Sequence, residues 1–352
     1  MRAMKIEEAL EKILVSPNSC SREPIFETYD KNVQGNTVWE RGKVSASIIT
    51  PFRDFPELSE KGSKTGVAIA NGGNPNLAKI SARIAAENAV AEAVVKVSCV
   101  GGIPLALTDC LNFGNPEKKE QMGEFVAGVE GVKLACEALG IPVVSGNVSF
   151  YNESSGTSIP PSALVSVFAR VDDPTKVPQL EFKKEGETIF LVGTRSKNLG
   201  GSALMDIAGK KDTRIPEVDF KRTKKWLERL QQVAGLNLIS TAYPIGLGGV
   251  ITTLAQASFA NEIGVEIKLE NLELTLPQFL FSEDIGVIIS TSFAGKVQEI
   301  FGENAVEIGK TTRRFNLKVE QEDKVVLDEE LSPFKKLWEQ GLRDIFGYYI
   351  II

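Results

Sequence analysis

Apolar residues recur along this chain in two rhythms, and the switches between them outline its elements. An amphipathic pattern at residues 5–14 predicts a short helix, followed by an irregular polar arm through residue 38. β-type runs come at 45–49 and 67–70, and an alanine-rich stretch at 80–97 predicts a helix suited to close packing on a sheet. Residues 105–108 read as a buried strand. Phe125, Val129, Val132, Cys136 and Leu139 then recur at three- and four-residue steps, which lines one helix face. Gly140 stands where a left-handed cap is needed, and Pro142 follows it. Strands at 143–145 and 163–171 complete an α+β layer with its helices on one face.

The stretch 172–186 is polar and proline-bearing and reads as a linker. Beyond it a strand is expected at 188–192, and Leu199-Gly-Gly-Ser202 precedes a short helix. Trp226, Leu227, Leu230 and Val233 mark one helical face, with a further helix at 251–260 and a strand at 285–290. Hairpin-like strands follow over 305–327, and Ser332-Pro333 supplies a cap and first-turn pair for a last helix. The expected architecture is α+β in two α/β domains. Residues 1–42 form an N-terminal helix and arm, 43–178 a sheet-and-helix domain, and 184–352 a C-terminal α/β sandwich domain. A chain of 352 residues is long enough for two separate cores.

Composition narrows the function classes. A 43% hydrophobic and 24% charged chain is that of an ordinary globular protein, and a net charge of −6 gives no basic footprint for a nucleic acid. No apolar stretch is long enough to span a bilayer, and the N-terminus has no secretory-type apolar core, so a cytoplasmic location is expected. The four cysteines are scattered without a CxxC pair, which fits reduced thiols and argues against zinc. There is no histidine, which removes Ser-His-Asp and Cys-His nucleophile systems.

Two segments carry candidate chemistry. They are Leu107-Thr-Asp-Cys-Leu-Asn-Phe-Gly-Asn-Pro-Glu117 and Val143-Val-Ser-Gly-Asn-Val-Ser-Phe-Tyr-Asn-Glu153. Each ends an apolar run with hard oxygen donors beside a glycine, the chemistry wanted around Mg²⁺ and a polyphosphate. Gly146 removes a Cβ where a phosphate can approach, Asn147 offers a metal an amide oxygen, and Ser149 offers a hydroxyl. The plainer reading of Asp109, Asn112, Asn115 and Glu117 is an Asx-rich turn. Two such segments at the same end of neighbouring strands would make a shared cleft. Gly200-Gly201 and Gly246-Leu-Gly-Gly249 read as strand-to-helix corners or incomplete phosphate turns. Glu92 and Lys96 read as a helix-surface pair, and Ser282-Glu-Asp284 as either a polar strand entry or a second cleft lining.

At these residues the chain resembles the C-terminal half of the large subunit of phosphoribosylformylglycinamidine synthase, in the superfamily of aminoimidazole ribonucleotide synthase. The likeness includes Val33-Gln-Gly-Asn-Thr37, Ala89-Val-Ala-Glu-Ala93, the two segments above, Leu199-Gly-Gly-Ser202, Gly248-Gly249 and Phe281-Ser-Glu283. It implies an ATP- and Mg²⁺-dependent ligase of purine biosynthesis. ATP phosphorylates the amide oxygen of formylglycinamide ribonucleotide, and glutamine-derived ammonia then displaces the phosphate to give the amidine. The implied fold pairs the N-terminal sheet with that of a partner, or of a second copy, in a central barrel. The implied partners are a first-half synthase subunit, a glutaminase subunit and a small adaptor.

By the same resemblance, Asp109 and Gly146 match ATP-contacting positions, Asn147 a Mg²⁺ ligand and Ser149 a substrate contact. No catalytic residue carries over, because the family's histidines and several metal carboxylates belong to the missing first half. The chain also departs at the second half's own nucleotide site. Asn71 replaces an aspartate, Lys96 an asparagine, and Tyr243-Pro-Ile-Gly-Leu-Gly-Gly249 a His-Asp-x-Ser-Asp-Gly-Gly motif. Lys96 thereby stands where a cation would. The alternative to a synthase subunit is a non-catalytic scaffold or regulatory homodimer; a self-sufficient homodimeric ATP-dependent enzyme is a third reading.

Overall fold

In a computed structural model the described residues are 4–27, 29, 35–39, 42–55, 57 and 64–346. Much of the predicted arm, including Val33 and Gln34 of the 33–37 motif, lies outside them. The chain opens with helices α1 (Ile6–Val15) and α2 (Glu23–Phe26). The first layer runs β1 (Thr37–Trp39), β2 (Ser47–Ile49), β3 (Gly66–Gly72), α3 (Pro75–Ala78), α4 (Ala82–Cys99), β4 (Ile103–Asn112), α5 (Lys119–Leu139), β5 (Val143–Ser149), the small ribbon β6 (Glu153–Ser154) and β7 (Thr157–Ser158), and β8 (Ser162–Val171). Its six-stranded sheet has the order β1-β2-β3-β8-β4-β5, with β4 and β5 parallel and joined through α5.

Alternation along these strands separates a covered face from an open one. Ala68 and Ala70 of β3 and Val165, Val167 and Ala169 of β8 are buried against the helices, while Asn71, Leu164, Cys110 and Asn147 are exposed. Helix α4 begins one residue after Ser81, whose hydroxyl accepts the Ile84 N–H at 3.3 Å. Nearly its whole circumference is buried, as its alanine content predicts for a helix enclosed on all sides. Gly140 ends α5 at φ 75°, the left-handed cap expected from the sequence.

The second layer contains β9 (Thr188–Val192), α6 (Ala203–Ile207), α7 (Phe220–Gly235), β10 (Thr241–Pro244), α8 (Gly249–Phe259), β11 (Gly264–Leu269), α9 (Leu276–Phe281), β12 (Val287–Thr291), α10 (Ala294–Phe301), β13 (Ala305–Thr312), β14 (Asn316–Gln321), β15 (Lys324–Glu330) and α11 (Leu331–Phe346). Its sheet has the order β10-β12-β9-β13-β11-β14-β15. Only β14 and β15 form the expected hairpin, because β11 lies between β13 and β14. Ser332 falls inside α11, and its hydroxyl donates to Glu330 Oε1 at 2.9 Å.

The two layers do not have separate cores. One continuous cluster joins Val94 and Val97 of α4, Val167 of β8 and Trp226 and Leu230 of α7 to Phe190, Val192 and Val287 of the second sheet. The alternate residues Ile189, Leu191 and Ile288 point the other way, into a second cluster with α8 and α11. Sequence-adjacent α1 joins that distant cluster through Leu10, Ile13 and Leu14. Strands β9 and β12 are therefore buried on both faces, which is why they read as unbroken apolar runs. Among the described residues no helix is long and apolar enough to cross a membrane.

Candidate functional site

The parallel pair β4 and β5 brings both polar segments to one end of the sheet. Asp109 lies opposite Gly146, Cys110 opposite Asn147, and Asn112 opposite Ser149. Past the strands, Phe113 N–H donates to the Ser149 carbonyl at 3.0 Å. Asn152 Nδ2 donates to the carbonyls of Phe113 and Ser149, both at 2.9 Å. Phe125 of α5 packs edge-on against Phe113 and Phe150, with ring centroids 5.3 and 5.0 Å apart. That trio pins both strand ends to the helix layer. Asn115 accepts the Glu117 N–H at 2.9 Å, and Lys118 pairs with Glu153 at 2.7 Å, so this part is an Asx turn tied to the second segment.

The register divides the four expected site residues. A Cβ added at Gly146 would sit 2.4 Å from Asp109 Oδ1, so the space left by this glycine holds the Asp109 carboxylate. Burial pushes the Asp109 carboxyl above its ordinary range, against the lowering effect of the Asn147 backbone N–H that donates to it. Asn147 is the next residue along the strand, so its side chain falls on the opposite, open face with Cys110, where both are exposed. Ser149 sits at the strand end, its Oγ 3.1 Å from Asn152 Nδ2.

Asp109 lines a cleft of about 410 Å³ with Asn71, Glu92, Lys96, Thr108, Cys110 and Ser166, and Asn147 is not part of its wall. Lys96 Nζ donates to Glu92 Oε1 at 2.6 Å and to the Asn71 carbonyl at 2.9 Å. A single exposed amide at Asn147 is too few ligands for Mg²⁺, which demands an octahedron of oxygens. No three acidic or thiol groups gather to hold a metal among the described residues. The described residues of this chain alone therefore do not fit a resident Mg²⁺.

A second cleft, of about 390 Å³, opens between the layers and is lined by Arg22, Asn74, Asn76, Asn88, Glu92, Gly246 and Glu283. Of Ser282-Glu-Asp284, Glu283 is the residue that lines this cleft. Its Oε1 accepts the N–H groups of Gly248 and Ala203, both at 2.8 Å, at the starts of α8 and α6. Gly248 adopts φ 81°, and a Cβ there would meet Thr252 Oγ1 at 2.2 Å, so this glycine is required by the corner itself. Oε2 of Glu283 is closed off from solvent without a hydrogen-bond partner. Burial raises this carboxyl to about 7, against the two backbone N–H groups and assisted by Glu92 and Asp284.

A folded-state value above the ordinary 4.5 means the unfolded chain gives up this proton first. Stability from this group is therefore intact below about pH 4.5 and falls as pH rises towards 7. The expected loss is about 3 kcal/mol, complete above that window. Glu283→Gln keeps the Oε1 acceptor and removes the titration. The gap in unfolding free energy between wild type and variant should shrink or reverse from pH 5 to pH 8. Parallel urea-denaturation profiles across that range would contradict the assignment.

The sequence matches the AIR synthase related protein N-terminal domain over residues 60–171 and the corresponding C-terminal domain over residues 184–322. Phosphoribosylformylglycinamidine synthase subunit PurL of Carboxydothermus hydrogenoformans is 35% identical over 343 residues, covering 95% of this chain and 46% of that protein. The chain thus spans about half the length of such curated relatives. Among solved structures, Thermotoga maritima PurL complexed with FGAR superimposes with a TM-score of 0.73 at 16% identity, over 94% of this chain and 53% of that one. The same protein complexed with ATP gives 0.63 at 17% identity, over 78% and 44%. These structural likenesses establish the fold.

Proposed function

Because this chain belongs to the AIR synthase related proteins and carries both of their domains, we propose that it is one subunit of a split phosphoribosylformylglycinamidine synthase. In this reading it supplies the second half of an active site completed by a separate chain. The assembled enzyme uses ATP and Mg²⁺ to activate the amide oxygen of formylglycinamide ribonucleotide as a phosphate ester. Ammonia from a glutaminase subunit then takes the place of phosphate, with a small adaptor in the assembly, in the cytoplasm.

One observation carries the proposal. Strand β5 ends the sheet order and is exposed along almost its whole length, with Val143, Val144 and Val148 at 45%, 63% and 47% exposure respectively. An unpaired edge beside an uncovered sheet face is a surface for another chain. Asn147 and Ser149 lie on that strand, where they would meet a second sheet. We assign Asn147 as one metal contact and Ser149 as a substrate contact, the remaining carboxylates and the histidines coming from the partner. Asp109 and Gly146 stay assigned to the ATP-binding region, with Asp109 acting through the Asn147 N–H that it accepts.

The test is reconstitution. This chain is mixed with a histidine-containing first-half chain, the glutaminase, the adaptor, glutamine, ATP, Mg²⁺ and the ribonucleotide. Phosphate release and amidine formation should appear only in the complete mixture and be absent from this chain alone. No gain on adding this chain would refute the proposal. The same open edge also favours self-pairing, so a stable homodimer without activity in the mixture would support the scaffold reading instead.

A further inference from the structure

Where α4 passes the end of β3, two acceptors converge on one ammonium, and one of them is itself anchored by a backbone N–H. Lys96 Nζ is 2.6 Å from Glu92 Oε1 and 2.9 Å from the Asn71 carbonyl, while Glu92 Oε2 accepts the Gly73 N–H at 3.1 Å. An ordinary helix-surface pair four residues apart contributes only a few tenths of a kcal/mol and touches nothing else. This one differs in three respects. Each side chain is only 30% exposed, the ammonium ties the helix to the end of another element, and the pair lines a cleft that also contains Asp109 and Thr108. The wall behind it is unyielding, since a Cβ at Gly72 would lie 2.0 Å from the Ala89 carbonyl oxygen of α4.

Two carboxylates, a backbone carbonyl and the Asn71 side chain are hard oxygen donors of the kind that Mg²⁺ and Ca²⁺ take. The point where the Glu92 carboxylate and the Asn71 carbonyl converge is already held by a cation, one attached covalently and needing no dehydration by a metal. We propose that Lys96 is a built-in cation that replaces a divalent metal in this cleft and makes the cleft indifferent to metals. The inference goes beyond the synthase reading and does not depend on it, because it is tested on this chain alone.

Lys96→Met removes the charge and keeps the length of the side chain. The variant is expected to melt several degrees below wild type and to recover most of that loss in about 5–10 mM Ca²⁺ or Mg²⁺, roughly tenfold above the affinity of weak Ca²⁺ sites. Wild type and Lys96→Arg should show no comparable shift. Calorimetric titration should find one Ca²⁺ bound by Lys96→Met, at least tenfold tighter than any binding by wild type. The double variant Glu92→Gln/Lys96→Met should lose the response, which separates a cation site from general destabilisation. Should Lys96→Met not fold, Lys96→Gln takes its place in the same titration. Equal metal responses in wild type and variant, or no gain of binding by the variant, would overturn the proposal.

Discussion

Trp226→Ala should lower the unfolding free energy by about 4 kcal/mol, in the range found for large aromatic truncations in cores. Trp226 is 2% exposed and lies on the face of α7 that closes the continuous cluster between the layers. The indole fills space bounded by α4, α7 and the second sheet, elements too rigidly packed to collapse into the cavity. The shared core adds a sharper expectation. Trp39 lies in the first sheet and Trp338 in α11 of the second layer, so each layer keeps its own fluorophore after the substitution. Urea denaturation followed by fluorescence and by far-ultraviolet circular dichroism should give one transition, shifted as a whole. Separate cores would instead give two transitions with only one displaced. Val126→Ala, on the exposed side of α5, should change stability by less than about 0.5 kcal/mol.

The face of α7 shows how far sequence alone reaches. Trp226, Leu227, Leu230 and Val233 follow the helical period, and all four are buried. The alanines of α4 likewise announce close packing, and Gly140 announces the end of α5. Non-local choices left no such trace. Strand β11 inserts between β13 and β14, and nothing in the sequence near residues 305–327 encodes a partner drawn from 264–269. Length alone allows two cores, but α7 buries its apolar face on the first layer as well as on its own. At the site, the meeting of the two polar segments was legible from composition and position. The division of Asp109 from Asn147 was not, because a side chain's face depends on a strand register that one residue of slip inverts. In sequence alone, Gly146 offers room for a phosphate. Its strand neighbour Asp109 occupies that room.

In the reconstituted enzyme Asn147→Ala should lower kcat/KM by about a hundredfold, equivalent to about 2.7 kcal/mol of transition-state stabilisation. Among the described residues, the Asn147 side chain has no structural duty in this chain. Its side chain is exposed on an edge strand, facing away from the helices, and the backbone N–H that serves Asp109 survives the substitution. Stability should therefore stay within about 0.5 kcal/mol of wild type, as for other surface changes. A merely structural asparagine would show the reverse pattern, with lost stability and retained turnover. Asp109→Asn supplies the complementary case. It keeps an acceptor for the Asn147 N–H but removes a carboxylate whose burial already disfavours its charge, so it should disturb turnover less than Asn147→Ala. Should Asn147→Ala leave kcat/KM unchanged in an active complex, the metal contact must come from elsewhere, and β5 would serve only to dock the partner.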